Sequence, residues 1–116
     1  MPQSAFIVLS DPPAKISEEE FHAWYERHAR EIVELPGFAA AERFKLQYIR
    51  GNVQDPNIDY KHYVRYEIEG EFEDAWQALR AAVDGGRLYL PEWFPLLVTA
   101  GWLATPLGRV EAAVAQ

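Results

Sequence analysis

The succession of helical and extended periodicities along the chain constrains its fold most. Two segments place apolar side chains three and four residues apart, which is the spacing of an amphipathic helix. Four other segments are short apolar runs or alternate apolar with polar side chains, as strands of a sheet do. In chain order we predict a strand at 4–10, a helix from Ser17 to about Glu34, strands at 38–49 and 60–70, a helix at 71–86 and a strand at 96–106.

This β-α-β-β-α-β order is the ferredoxin-like pattern of α+β proteins, in which a four-stranded antiparallel sheet carries two helices on one face. A chain of 116 residues is long enough for one such domain and too short for two. We therefore predict a single domain over residues 1–116, with its core at 4–105 and a C-terminal tail at 106–116. Residues 50–59 are rich in turn formers and are predicted as a hairpin loop, and residues 87–95 as a proline-punctuated connector.

The composition argues against several classes of function. A formal net charge of -7 disfavours nucleic acids and anionic membrane surfaces, because both select basic protein surfaces. The absence of cysteine excludes disulfides and thiolate chemistry. We find no apolar run of membrane-spanning length, no signal-peptide pattern and no nucleotide, flavin or zinc motif. The expectation is a cytoplasmic protein that needs neither a metal nor an organic cofactor.

The first predicted helix carries a histidine on its apolar face. In the segment FHAWYERHAREIVELPGF, residues 21–38, His28 falls on the same stripe as Phe21, Trp24 and Ile32. A neutral imidazole in a desolvated cleft can act as a base or an acid near neutral pH. The alternative interpretation is a hydrogen-bonded core histidine without a catalytic role.

Strand alternation brings more polar groups toward the same space. With a period of two, His62 and Tyr66 of the third strand and Glu42 and Phe44 of the second fall on the face that the helices cover. We therefore expect His28, His62 and Tyr66 to be catalytic groups of one partly apolar cleft. The alternatives are a solvated rim position for His62 and an outward turn at a bulge for Glu42.

Aromatic side chains are the expected walls of this cleft. Flat apolar surfaces suit a small apolar or aromatic molecule, although such rings could also serve core packing alone. The predicted ligand contacts are Trp24, Tyr25, Glu42, Phe44, Trp93, Phe94 and Trp102.

The opposite face of the sheet is predicted to be a basic patch. It can be a solvated surface, an interface with a second copy of the chain, or a pocket for an anion. Its charged and amide side chains are Arg43, Lys45, Gln47, Lys61, Arg65 and Glu67.

The unit FHAWYERHAREIVELPGFAAAERFKL resembles the first helix and second strand of EthD-like proteins in the dimeric α/β-barrel superfamily. The order of elements over residues 4–105 agrees with that superfamily, and Arg30 stands where a proline is common. The resemblance implies a homodimer whose two sheets pack face to face into a barrel with the helices outside. The matching residues are Trp24, Tyr25, His28, Pro36, Gly37 and Phe38.

The resemblance also implies a class of chemistry. The superfamily contains cofactor-free enzymes that act on small cyclic or aromatic compounds, including isomerases, polyketide cyclases, monooxygenases and dehydratases, and His28 matches the family's helix histidine. We therefore predict an acid/base isomerase, cyclase or lyase that acts on a small cyclic or aromatic carbonyl or lactone compound. The alternatives are a cofactor-free monooxygenase of a phenol and a non-catalytic ligand-binding dimer.

Overall fold

The computed structural model describes residues 4–51 and 60–113, so most of the predicted loop at 50–59 lies outside the described residues. The predicted order of elements is confirmed, although the second and third strands are shorter than expected. Residues 105–113 follow the last strand without regular secondary structure. The elements are β1 (Ala5–Asp11), α1 (Glu18–Val33), β2 (Phe38–Lys45), β3 (His62–Ile68), α2 (Phe72–Asp84), a 3-10 turn (Phe94–Leu96) and β4 (Val98–Ala104).

The four strands form one antiparallel sheet in the order β2-β3-β1-β4. Together with the two helices this is the ferredoxin-like arrangement that the sequence predicts. Within the described ranges, neither helix is both long and apolar enough to cross a membrane.

The first turn of α1 is capped by Ser17, which directly precedes the helix. The hydroxyl of Ser17 accepts a hydrogen bond from the backbone N–H of Glu20 at 3.1 Å, which satisfies one free donor of the first turn. The carboxylate of Glu20 accepts a hydrogen bond from the indole N–H of Trp93, at 3.1 Å, and so links α1 to the connector before β4.

One face of the sheet packs against the helices and forms the core. All four residues of β3 predicted to point inward are buried: His62, Val64, Tyr66 and Ile68. From β1, Phe6 reaches α2, where its ring centroid lies 5.6 Å from that of Trp76. The alternation predicted for β3 is therefore confirmed.

The alternation predicted for β2 is wrong beyond its first residue. A β-bulge between Phe38 and Ala40 inserts one extra residue opposite β3, which reverses the faces of all later positions. Glu42 and Phe44, expected on the helix-covered face, pair with Arg65 and Tyr63 on the other face. The side that faces the helices instead carries Ala41, Arg43 and Lys45.

The open face of the sheet is consequently more apolar than the predicted basic patch. Arg43 and Lys45 do not belong to it, and Arg65 is paired with Glu67 at 3.1 Å. Trp102, which pairs with Ile7, is 61% exposed on this face. The apolar residues of this open sheet face are Ile7, Leu9, Phe44, Tyr63, Val98, Ala100 and Trp102.

Candidate active site

A cavity of about 250 Å³ lies between the two helices and the covered face of the sheet. For comparison, apolar protein cavities of ~150 Å³ already bind benzene. The space therefore suffices for a substituted ring. Its walls are Phe6, Val8, Trp24, Tyr25, His28, Ile32, Tyr66, Trp76, Leu79, Val83, Leu88, Leu90, Phe94, Leu97 and Thr99.

His28 contributes an imidazole to this cavity from α1. Its ring stacks on the indole of Trp24, with centroids 4.6 Å apart and an interplanar angle of 23°. Burial lowers the pKa of His28 from 6.5 to about 4, so the side chain is neutral at pH 7. Among the described residues, no group forms a hydrogen bond with its buried Nδ1 atom.

Two tyrosines approach each other at the inner wall of the cavity. Tyr66 on β3 and Tyr25 on α1 are 1% and 3% exposed, and the Tyr25 hydroxyl lies beside those of Tyr66 and Ser10. Burial raises the pKa of both phenols, most strongly that of Tyr66, so both remain protonated. Within residues 4–51 and 60–113, however, Tyr66 Oη and Ser10 Oγ have no partner at proper hydrogen-bond geometry.

These partnerless atoms are the strongest sign of a binding site. Buried polar groups in proteins are almost always paired, because an unsatisfied one costs ~1–3 kcal/mol. His28 Nδ1 and Tyr66 Oη both belong to cavity-lining residues, but the two atoms are themselves buried, so a ligand with polar atoms can pair with them only after a side-chain movement.

The connector before β4 closes the cavity, and three hydrogen bonds of 3.1 Å hold it against α1. The indole N–H of Trp24 donates to the carbonyl oxygen of Tyr89, whose own backbone N–H donates to Glu31. The third bond is the one from Trp93 to Glu20. The connector also contributes Leu88, Leu90 and Phe94 to the cavity wall.

Five of the ten predicted site residues line the cavity, namely Trp24, Tyr25, His28, Tyr66 and Phe94. Trp93 lies behind the wall, against Trp24, with ring centroids 5.1 Å apart. Glu42, Phe44 and Trp102 lie on the open sheet face instead, for Glu42 and Phe44 because of the bulge.

His62 is also outside the cavity. Its Nε2 lies 3.0 Å from Oε2 of Glu18 at the start of α1. These two residues border a second cleft, of about 360 Å³, with Glu19, His22, Arg43, Phe44 and Lys45. Its walls carry charges of both signs, and none of the partnerless buried atoms found among the described residues belongs to it, so we place the candidate site in the cavity.

Arg43 is a residue near the site that the sequence did not predict. Its guanidinium carbon lies 5.1 Å from the centroid of the Tyr25 ring, and its Nη1 donates to the carbonyl oxygen of His22 at 3.4 Å. Only the bulge brings this side chain to the helix side. The extra residue, Ala39, is an alanine followed by two more, which give no polarity signal from which the shift could have been recognised.

Comparisons with known proteins support the fold and leave the family open. No protein-family model matches the chain, and no curated protein does either. Among solved structures, a crystal structure of At3g17210 from Arabidopsis thaliana superposes with a TM-score of 0.61 at 13% sequence identity. The match covers 91% of this chain and 99% of that one. At this identity the likeness establishes the ferredoxin-like fold alone.

The described part of the chain also offers little for a metal ion. No three His, Asp or Glu side chains of residues 4–51 and 60–113 converge in a way that could hold one.

Proposed function

We propose that the chain is a cofactor-free acid/base enzyme, of isomerase, cyclase or lyase type, for a small cyclic or aromatic carbonyl or lactone compound. One observation carries the proposal: a ring-sized cavity is lined by a neutral imidazole and a phenol whose buried polar atoms have no hydrogen-bond partner among the described residues. A core histidine without a ligand would instead be packed and hydrogen-bonded.

In this proposal His28 is the general base. With the proton of the neutral ring on Nε2, the lone pair of Nδ1 can accept a proton from a carbon next to the ligand's carbonyl group. The enolate that forms places negative charge beside the imidazolium, which raises the basicity of His28 as the proton moves. Return of the proton to another carbon gives an isomer, and loss of a leaving group gives an elimination.

Tyr66 is the proposed donor to the enolate oxygen. Its phenol is protonated at neutral pH, and its buried hydroxyl has no partner at proper hydrogen-bond geometry among the described residues. A donor placed in advance, away from water, is the usual way in which enzymes stabilise developing oxyanions. Tyr25, beside it, can hold the Tyr66 hydroxyl in position.

We further propose EthD-like membership and a dimeric barrel. The motif around His28 supports the family. The open sheet face supports the dimer, because an antiparallel sheet normally exposes polar rather than aromatic side chains to water. Phe44 and Tyr63 pack on each other there, with centroids 5.2 Å apart, and Trp102 is largely exposed.

Deuterium exchange tests the catalytic proposal and does not require the product to be identified. A panel of cyclic ketones, lactones and phenols is incubated with the protein in deuterated water, and exchange at the carbon next to the carbonyl group is followed by NMR. We expect His28→Gln to lower the exchange rate at least ~100-fold, since one placed acid/base group contributes ~100- to 10,000-fold. His22→Gln, an exposed histidine of the same helix, is the matched control and should exchange normally.

The same panel separates the alternatives. Oxygen consumption with a phenol, and no exchange, would identify a monooxygenase. Saturable quenching of tryptophan fluorescence with neither reaction would identify a binding protein. Normal exchange in a folded His28→Gln variant would refute the role of His28.

A further inference from the structure

Arg43 is a cation without a neutralising partner in the part of the chain that the structure describes. None of the salt bridges formed within residues 4–51 and 60–113 includes it. Its side chain is half-buried between α1 and β2, and burial lowers the pKa of its guanidinium group. A desolvated charge of this kind destabilises the fold unless a nearby group interacts favourably with it.

Arg43 faces the two cavity tyrosines on one side, and it also borders clefts that contain Glu18, Glu19 and Glu26 of α1. Its guanidinium lies against the Tyr25 ring, and the Tyr25 hydroxyl lies beside that of Tyr66. On β2, Arg43 is two residues from Ala41, which pairs directly with Tyr66. The positive charge favours the ionised form of both phenols and thus opposes the effect of burial on their pKa values.

We propose that Arg43 is a positioning residue which, through Tyr25 and Tyr66, stabilises negative charge on a ligand oxygen in the cavity. The inference rests on the proposed function, because it requires the cavity to bind a ligand. The charge polarises Tyr25, Tyr25 supports Tyr66, and the Tyr66 hydroxyl donates to the ligand. The simpler role, in which Arg43 only braces α1 against β2 through its bond to His22, makes a different prediction.

The other groups around the tyrosine pair do not supply this charge. Ser10 from β1 and His28 from α1 are neutral, and Glu26, which is exposed on α1, is bonded to Arg30 at 3.0 Å. Arg43 from β2 is thus the cation that acts on the pair among the described residues. Its removal should affect an ionised ligand far more than a neutral one.

The test uses 4-nitrophenol, whose absorbance distinguishes the phenol from the phenolate. The pKa of the bound dye is measured in the wild type, Arg43→Gln, Arg43→Lys and Tyr66→Phe. A unit charge ~10 Å away at an effective dielectric constant of ~20 shifts a pKa by about one unit. We therefore expect Arg43→Gln to raise the pKa of the bound dye by about one unit, a ~10-fold loss of selectivity for phenolate.

Two further variants test the path of the effect. Arg43→Lys should retain most of the wild-type value because it keeps the charge. In the Tyr66→Phe background, Arg43→Gln should have a smaller effect, since only the direct attraction between the two charges remains once the donor is missing. Near-ultraviolet circular dichroism verifies the fold, and Arg43→Met replaces Arg43→Gln if the latter does not fold.

The outcomes separate the inference from the proposed function. If Arg43→Gln weakens phenol and phenolate binding equally, Arg43 is only a brace, and the inference is wrong while the cavity remains a binding site. An equal shift with and without Tyr66 overturns the path through the tyrosines. If the wild type does not bind the dye at all, the inference fails, and the deuterium-exchange panel decides the proposed function separately.

Discussion

At the scale of single residues, the position of His28 explains an irregularity of the sequence. An imidazole interrupts the apolar stripe of α1 because that part of the stripe faces a cavity rather than close-packed side chains. The ring is held by stacking on Trp24, which leaves Nδ1 free of bonds to the described residues. Because these surroundings disfavour the charged imidazolium, protonation of His28 destabilises the folded state.

The pKa of His28 therefore predicts how stability depends on pH. The native value of about 4 lies below the ordinary 6.5, so the unfolded chain binds the proton more tightly. Stability is unaffected by His28 above pH ~6.5 and is lost as the pH falls toward ~4. Between pH ~7 and ~5, the wild type should lose about 2 kcal/mol more unfolding free energy than His28→Gln does.

Urea denaturation at both pH values provides the measurement, with His22→Gln as the control. His22→Gln should lose as much unfolding free energy between the two pH values as the wild type does, because the His22 side chain is exposed. Parallel loss of stability in the wild type and His28→Gln would show that His28 is not kept neutral by burial.

At the scale of elements, the sequence predicts the order of strands and helices but not the face of β2. Periodicity identifies α1 and β3 because aromatic and charged side chains alternate there with a clear period. β2 begins with Phe38 and three alanines. Alanine fits either face of a sheet, so the sequence does not reveal the extra residue of the bulge. The sequence therefore predicts His28, Tyr25 and Tyr66 together and does not predict Arg43. For Glu42, an outward turn at a bulge is only the alternative interpretation.

The turn between α1 and β2 depends on Gly37. Its φ of 90° favours glycine, and an added Cβ would lie 2.7 Å from the Cβ of Ala75 in α2. Gly37→Ala should therefore cost about 3 kcal/mol of unfolding free energy, from backbone strain and overpacking together.

Gly70→Ala is the matched control for this contact. Gly70 also has a positive φ, of 78°, but an added Cβ would meet nothing within 4 Å among the described atoms. Gly70→Ala should lower the free energy of unfolding by only about 1 kcal/mol, because backbone strain is its sole cost. Equal costs in urea denaturation would contradict the close approach of α2 to the turn.

At the scale of the whole molecule, the two faces of the sheet differ in what covers them. The helices bury one face around the cavity, and no described part of the chain covers the aromatic open sheet face. A second copy is the occupant that the proposed barrel requires. We therefore expect light scattering to give twice the mass of one chain.

Trp102→Glu tests whether the open sheet face forms this interface. A carboxylate placed there would be buried without a partner in the dimer, so the variant should be monomeric in light scattering. Gln77→Glu, which adds the same charge on the exposed side of α2, should remain dimeric. A wild-type monomer, or a Trp102→Glu dimer, would exclude the barrel.

The bulge in β2 makes the site tolerant of the loss of one residue. Removal of Ala39 would place Ala40, opposite Glu67, directly after Phe38, opposite Ile68, so every later position would keep its partner and its side of the sheet. Arg43 would still face the helices, and Glu42 the open sheet face. A deletion of one codon would thus leave the charge beside the cavity unchanged, whereas a regular pairing that retained Ala39 would put an anion in place of the cation.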